Sequence, residues 1–141
     1  ACVLLRPKAL EVVGQYDTSL FMYGEDVELS YRLRRDGFLL RYCPRAVVWH
    51  YTYENTNQVK PIQYLGSTYA NLYLRLKYGK LNDILAVPFL GVRLLKDPEP
   101  FPGSRRAILR SLLKLLVMSP RALLSRRRSE AYFPFRNWDY E

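Results

Sequence analysis

A chain of 141 residues has room for one modest core and an appendage, which excludes two large domains. With 49% apolar and 14% aromatic residues, the composition also excludes a disordered chain. The formal charge of +9 is concentrated, since residues 93–128 hold ten cations and two acids, and this points the C-terminal third at an anionic neighbour, phospholipid or nucleic acid.

The chain opens on Ala1-Cys2-Val3-Leu4-Leu5, which reads as the middle of a buried strand. No initiator Met and no signal-peptide pattern precede it, so the sequence is expected to be truncated upstream. Pro7 and Gly14 bracket residues 8–13 as an early proline and a terminal glycine bracket a short helix. After a loop over 15–23, residues 25–36 have the charge order of a helix. Glu25, Asp26 and Glu28 fall in its first turn, Arg32, Arg34 and Arg35 in its last, and Gly37 lies beyond. Leu29 and Leu33 share one face, which places Asp26 where the packed face meets the helix mouth. Apolar runs at 38–42 and 46–49 read as strands or extended segments, and His50 closes the second. Cys2 and Cys43 sit in apolar runs without metal-type spacing, so two buried thiols in a reducing compartment are expected.

From Pro61 onward the apolar residues recur at helical spacing, which puts the domain boundary within 51–60. One helix is expected over 61–78, ending at Gly79, and a second over 81–95, interrupted at Pro88 and Gly91. Neither is long and apolar enough to span a membrane. After a proline-rich turn over 97–103, Ser104 is placed to cap a third helix. There Ile108, Leu109, Leu112, Leu113 and Leu116 form a broad apolar face, with Arg106, Arg110 and Lys114 on another. That is an amphipathic, cationic helix. Pro120 and the run Arg126-Arg127-Arg128 extend the theme. The closing cluster from Tyr132 to Trp138 fits an aromatic interface anchor or a docking strap equally.

The densest constellation comprises Tyr16-Asp17, Leu20-Phe21, Glu25-Asp26-Val27-Glu28-Leu29, Arg32, Gly37, Pro44 and Val48-Trp49-His50. Each piece has an ordinary structural explanation. An acidic pair at a helix start compensates the dipole, and a lone His after an apolar run is commonly a satisfied core residue. Taken together, their order and spacing resemble the second half of the family 2 glycosyltransferase domain. Its pattern runs roughly G-x-F-D-E-x-x-F, then E-D-x-D-L-x-x-R, then G, then P-x-A-x-V-x-H. The resemblance covers residues 1–52. Departures are Tyr16 for Phe, Thr18 for an acid, Glu28 for Asp, and Gly24 where an aromatic is common.

The resemblance implies an α/β fold: the C-terminal portion of a GT-A mixed-sheet domain over residues 1–52, followed by a basic amphipathic α-helical tail over 53–141. Moving a sugar from a nucleotide diphosphate to an alcohol requires a hydroxyl to lose its proton as it attacks, which suits a positioned carboxylate. The resemblance assigns that base to Asp26, with Glu25 beside it tuning it or binding acceptor hydroxyls. It also implies that His50, the only histidine, helps hold a divalent metal, Mn or Mg, that stabilises the leaving diphosphate. Further implications are an inverting reaction, a nucleotide-sugar donor, and a saccharide or lipid-linked acceptor in cell-surface glycan and polysaccharide biosynthesis.

The family's Asp-x-Asp motif is missing, so the donor site is expected in residues preceding Ala1 and the chain alone is not expected to catalyse transfer. The Gln-x-x-Arg-Trp mark of processive synthases is missing too, which favours single-residue transfer. The tail suits an anionic cytoplasmic leaflet, as a peripheral protein on the inner face of the plasma membrane, or packing on protein. The competing reading is a non-catalytic basic module binding nucleic acid or anionic membrane. No zinc-finger, RNP or helix-turn-helix signature supports the nucleic-acid version, so no nucleic-acid partner is expected.

Overall fold

The computed structural model describes residues 2–49, 60–97 and 99–126. Among them five helices follow in chain order: α1 (Pro7–Val13), α2 (Glu25–Arg35), α3 (Pro61–Tyr78), α4 (Leu81–Lys96) and α5 (Ser104–Leu124). The first three have the local causes read from the sequence. Pro7 starts α1, and Gly14, at φ 83°, ends it with its N–H on the Leu10 carbonyl. Acids open α2 and arginines close it. Pro61 starts α3, and Arg75 and Lys77 lie in its last turn.

Two corrections concern the later helices. Helix α4 runs unbroken through Pro88 and Gly91. Pro88 is exposed, so its missing N–H and its ring are accommodated on the solvent side. Gly91 is the buried residue of α4, and its bare α-carbon seats Leu112 of α5, whose Cδ2 would lie 3.3 Å from an added Cβ. Ser104 is not the cap of α5. Gly103, at φ 77°, takes that position, and Ser104 is the fully buried first residue. Pro120 likewise lies inside α5 without ending it.

The main core is built around α3. Tyr69, Ala70, Leu72, Tyr73, Leu74 and Leu76 are buried there against Leu20, Leu115 and Ala122, with Val87, Leu90 and Leu94 of α4 packed alongside. A smaller cluster joins α1 to α2 through Ala9, Leu29 and Leu33, with Phe38 closing it. Arg126 fastens the end of α5 to the end of α3, donating to the carbonyls of Leu76 at 2.6 Å and Gly79 at 2.7 Å.

No strand forms among the described residues, so the mixed sheet expected from the sequence is not seen. The segments at 3–5, 38–42 and 46–49 form no ladder with another segment among the described residues, and a strand exists only through such pairing. Leu4, Leu39, Tyr42 and Trp49 of these segments are exposed, while Leu5 and Phe38 pack on the smaller cluster. The cysteines follow the same segments, and Cys2 and Cys43 are free and exposed rather than buried.

Candidate functional site

The mouth of α2 is shaped by small residues on α3. Gly66 and Ala70, one turn apart, make a notch into which Met22, Tyr23 and Gly24 settle. A Cβ on Gly66 would lie 2.6 Å from the Met22 carbonyl oxygen, and one on Gly24 would lie 2.5 Å from the Ala70 Cβ. Tyr23 at φ 65° and Gly24 at φ 90° are both left-handed. Gly24, a departure from the family pattern at the sequence level, is therefore needed twice, for its backbone angle and for its lack of a side chain.

Behind this notch lies a cleft of about 340 Å³ whose walls include Tyr23, Glu25, Asp26, Ser67 and Ala70. Asp26 is exposed, and its Oδ1 accepts from the Val27 N–H at 2.8 Å. Glu25 is half-buried, and its Oε2 is shielded from water with no hydrogen-bond partner. A second groove of about 630 Å³ runs between α3 and α4 and shares Tyr23 and Ser67 with the cleft. Its polar wall is a ladder on α3, Gln63, Ser67 and Asn71, at one-turn spacing.

Beneath the cleft, α2 is fixed by a buried polar network. Glu28 has no exposed surface; it accepts from Arg32 Nε at 2.9 Å, Lys77 Nζ at 2.8 Å and the Tyr78 hydroxyl at 2.5 Å. Arg32 continues the chain of contacts, donating to the Val13 carbonyl, to Gly14 at 3.1 Å and to Gln15 at 2.6 Å, which satisfies the carbonyl end of α1. Asp17 accepts from Lys77 at 2.6 Å, from the Tyr73 hydroxyl at 2.9 Å and from the Ser19 N–H at 2.9 Å. Burial alone would raise both carboxyls. For Asp17 the Lys77 ammonium, the Ser19 N–H and the Tyr73 hydroxyl outweigh it and hold the group well below the usual carboxylate range. For Glu28 the donors Arg32, Lys77 and Tyr78 win in the same way. Burial raises the Tyr78 and Tyr73 hydroxyls, reinforced by the carboxylates they bind, and pushes Tyr69 up to about 12 with the Asp17 charge adding to it.

The structure thus brings Glu25 and Asp26 to one cleft. His50 lies outside the described residues, as do the aromatic cluster from Tyr132 to Trp138 and most of the segment between Trp49 and α3. Among the described residues no group of three or more His, Cys, Asp or Glu side chains could hold a metal ion. Sequence reasoning had singled out Asp17, Glu28 and Arg32 only as parts of a pattern, and it had missed Lys77, Tyr73 and Tyr78. One signal was available: Tyr69, Tyr73 and Lys77 recur at one-turn spacing on a helix otherwise apolar on that side.

Residues 1–63 match the family model described as "Glycosyltransferase like family 2". This segment, under half of the chain, is similar to family 2 glycosyltransferase sequence. Among curated proteins, the N-acetylglucosaminyl-diphospho-decaprenol L-rhamnosyltransferase of Mycobacterium tuberculosis matches in strain CDC 1551 / Oshkosh and in strain ATCC 25618 / H37Rv. Each is 37% identical over 74 residues, 52% of this chain and 24% of the relative. The chain therefore spans about a quarter of the length of these relatives. No solved structure matches it. The matched segment contains α1, α2 and the first residues of α3, so the Glu25–Asp26 pair lies within it while Ser67 and Ala70, on the opposite wall of the cleft, follow it.

Proposed function

We propose that this chain carries the acceptor side of an inverting nucleotide-sugar glycosyltransferase of the GT-A type, with Asp26 as general base. The observation that carries this reading is the contrast among the carboxylates near the mouth of α2. Asp17 and Glu28 are saturated by internal donors, whereas Asp26 is open to a cleft and, among the described residues, accepts from the neighbouring backbone N–H alone. A saturated carboxylate with a depressed pKa is a poor proton acceptor, and an accessible one is free to meet a hydroxyl. In the step itself the Asp26 carboxylate takes the acceptor proton as the hydroxyl oxygen bonds to the anomeric carbon. The bond from that carbon to the nucleoside diphosphate breaks, and the diphosphate leaves with the electron pair. Glu25, which lines the same cleft, holds an acceptor hydroxyl.

The residues 1–52 form the catalytic part in this reading and 53–141 the tail, with α3 lending Ser67 and Ala70 to the cleft. The exposed extended segments serve as strands of the GT-A sheet once further sequence pairs with them. The relatives' name specifies a diphospho-decaprenol acceptor. For this chain we carry over a lipid-linked saccharide as the acceptor class, within cell-surface polysaccharide synthesis, and a place on the cytoplasmic side, peripheral to the plasma membrane. No helix among the described residues is long and apolar enough to cross a membrane. A divalent cation, Mn or Mg, with His50 among its ligands, belongs to the reading through the family pattern alone, because the described residues do not form its site.

The test uses the full-length enzyme. Asp26→Asn should lower kcat by about 100-fold or more while donor binding, read by calorimetry, is unchanged. His50→Ala should weaken donor binding only when Mn or Mg is present. Wild-type turnover from Asp26→Asn ends the assignment of the base, and unchanged metal dependence in His50→Ala ends that of the ligand.

A further inference from the structure

The sequence gives α5 one broad apolar face, but the fold divides it in two. Ile108, Leu115 and Ala122 are buried toward the core. Leu109, Leu113, Leu116, Val117 and Leu124 lie on the other side of the same helix, following one another at helical spacing, and Val117 is 77% and Leu124 87% exposed. Helix α4 repeats the arrangement. Val87, Leu90 and Leu94 face the core, and Leu81, Leu85, Phe89 and Val92 form an outward stripe in which Phe89 is 75% exposed.

The two outward stripes adjoin. Gly91 of α4 touches Leu112 of α5, and on each helix this contact lies between the core-facing side and the exposed stripe. At about 100° per residue, Val92 and Phe89 follow Gly91 outward on α4, and Leu116 and Leu109 follow Leu112 outward on α5. The α4–α5 pair therefore presents one apolar strip, two helices wide, on its side away from α3. Charge selects its occupant. Helix α5 contains Arg105, Arg106, Arg110, Lys114 and Arg121 and no acid. Arg106, Arg110 and Arg121 are exposed along one edge of the strip. Among the described residues, the acids in the turn between the two helices are engaged: Asp97 pairs with Arg93 and Glu99 with Arg105. A second copy laid face to face would oppose two such cationic edges, whereas an anionic bilayer offers hydrocarbon to the strip and phosphate to its edge.

We infer that α4 and α5 together form a monotopic docking face that lies in the headgroup region of an anionic phospholipid bilayer, with Phe89 and Leu113 at its centre and Arg106 and Arg110 at its cationic edge. This deepens the peripheral placement proposed above by naming the surface and its partner, and its test involves no sugar transfer, so the two readings fail separately.

The experiment is vesicle flotation of the full chain with mixed phosphatidylglycerol–phosphatidylcholine vesicles and with pure phosphatidylcholine. The chain should float with the mixed vesicles and remain behind with the neutral ones. Phe89→Asp combined with Leu113→Asp should lower partitioning about tenfold or more. Arg106→Glu combined with Arg110→Glu should remove the preference for anionic lipid, at about fivefold for each cation lost. All four positions are exposed, and circular dichroism verifies that helix content is kept. Indifference of the wild-type chain to lipid charge overturns the inference, as does wild-type flotation of the Phe89–Leu113 variant. A chain that ignores vesicles but sediments as a dimer, and is made monomeric by Phe89→Asp, overturns it in favour of a second copy.

Discussion

Glu28 illustrates how one side chain can serve the site without entering it. It is wholly buried, yet its charge is retained because three side chains donate to it, two of them cationic. Removing that charge leaves Arg32 buried without a carboxylate and Lys77 with Asp17 alone, so Glu28→Gln should cost about 3 kcal/mol in urea unfolding. The pH dependence follows from the depressed pKa values of Glu28 and Asp17. In the unfolded chain these carboxyls titrate near their ordinary values, about 4. Their stabilisation is therefore complete above that range and is lost progressively as pH falls below it toward the folded-state values, because the unfolded chain binds protons first. The tyrosines act in the opposite sense: with Tyr69, Tyr73 and Tyr78 raised, stability holds below about pH 10 and falls as pH rises past it. Thermal midpoints followed across pH should show both shoulders, and Glu28→Gln should reduce the acid one. A profile flat on the acid side would contradict the network.

At the scale of elements, the seat of the α2 mouth in the Gly66–Ala70 notch makes Gly24 the most constrained glycine of the cleft. Gly24→Ala adds a left-handed strain and a clash with Ala70, together about 2–4 kcal/mol, and should lower the melting temperature while also widening the cleft. The same change at Gly37, which has a positive φ but nothing within 4 Å, should cost only the strain. Helices α1, α2 and α3 were legible in the sequence because proline, glycine and charge order act within a turn or two. Pro88, Gly91 and Ser104 were misread because their meaning is set elsewhere, by a solvent-facing side, by Leu112 and by Gly103. The strand segments are not seen paired, because pairing is a property of two segments, and among the described residues 38–42 and 46–49 form no ladder with another. The network around Lys77 was invisible for a related reason, since it joins positions 49 and 60 residues apart. The position of Glu25 and Asp26 at a helix mouth was legible, but the cleft they line is completed by α3 residues that no local pattern marks.

Over the whole molecule, α3 is the shared member. It buries its tyrosines and leucines against α4 and α5, holds Asp17 and Glu28 through Lys77, Tyr73 and Tyr78, and seats the loop before α2. The α1–α2 unit and the helical tail should therefore unfold together, with amide exchange at Leu29 and at Leu74 reporting the same opening free energy. Separate transitions would show that the polar network is weaker than its geometry indicates.

The Lys77 and Tyr78 contacts with Glu28 carry one more consequence. They lie on α3, the helix that α5 packs along, so the packing of these helices sets the distance from the outer strip of α4 and α5 to the Asp26 carboxylate. If that strip rests on a bilayer, the carboxylate stands at one height above the phosphates. Were the proposed transfer to take place there, acceptors would be sorted with a ruler as well as a mould, according to the height at which a lipid tether holds the hydroxyl.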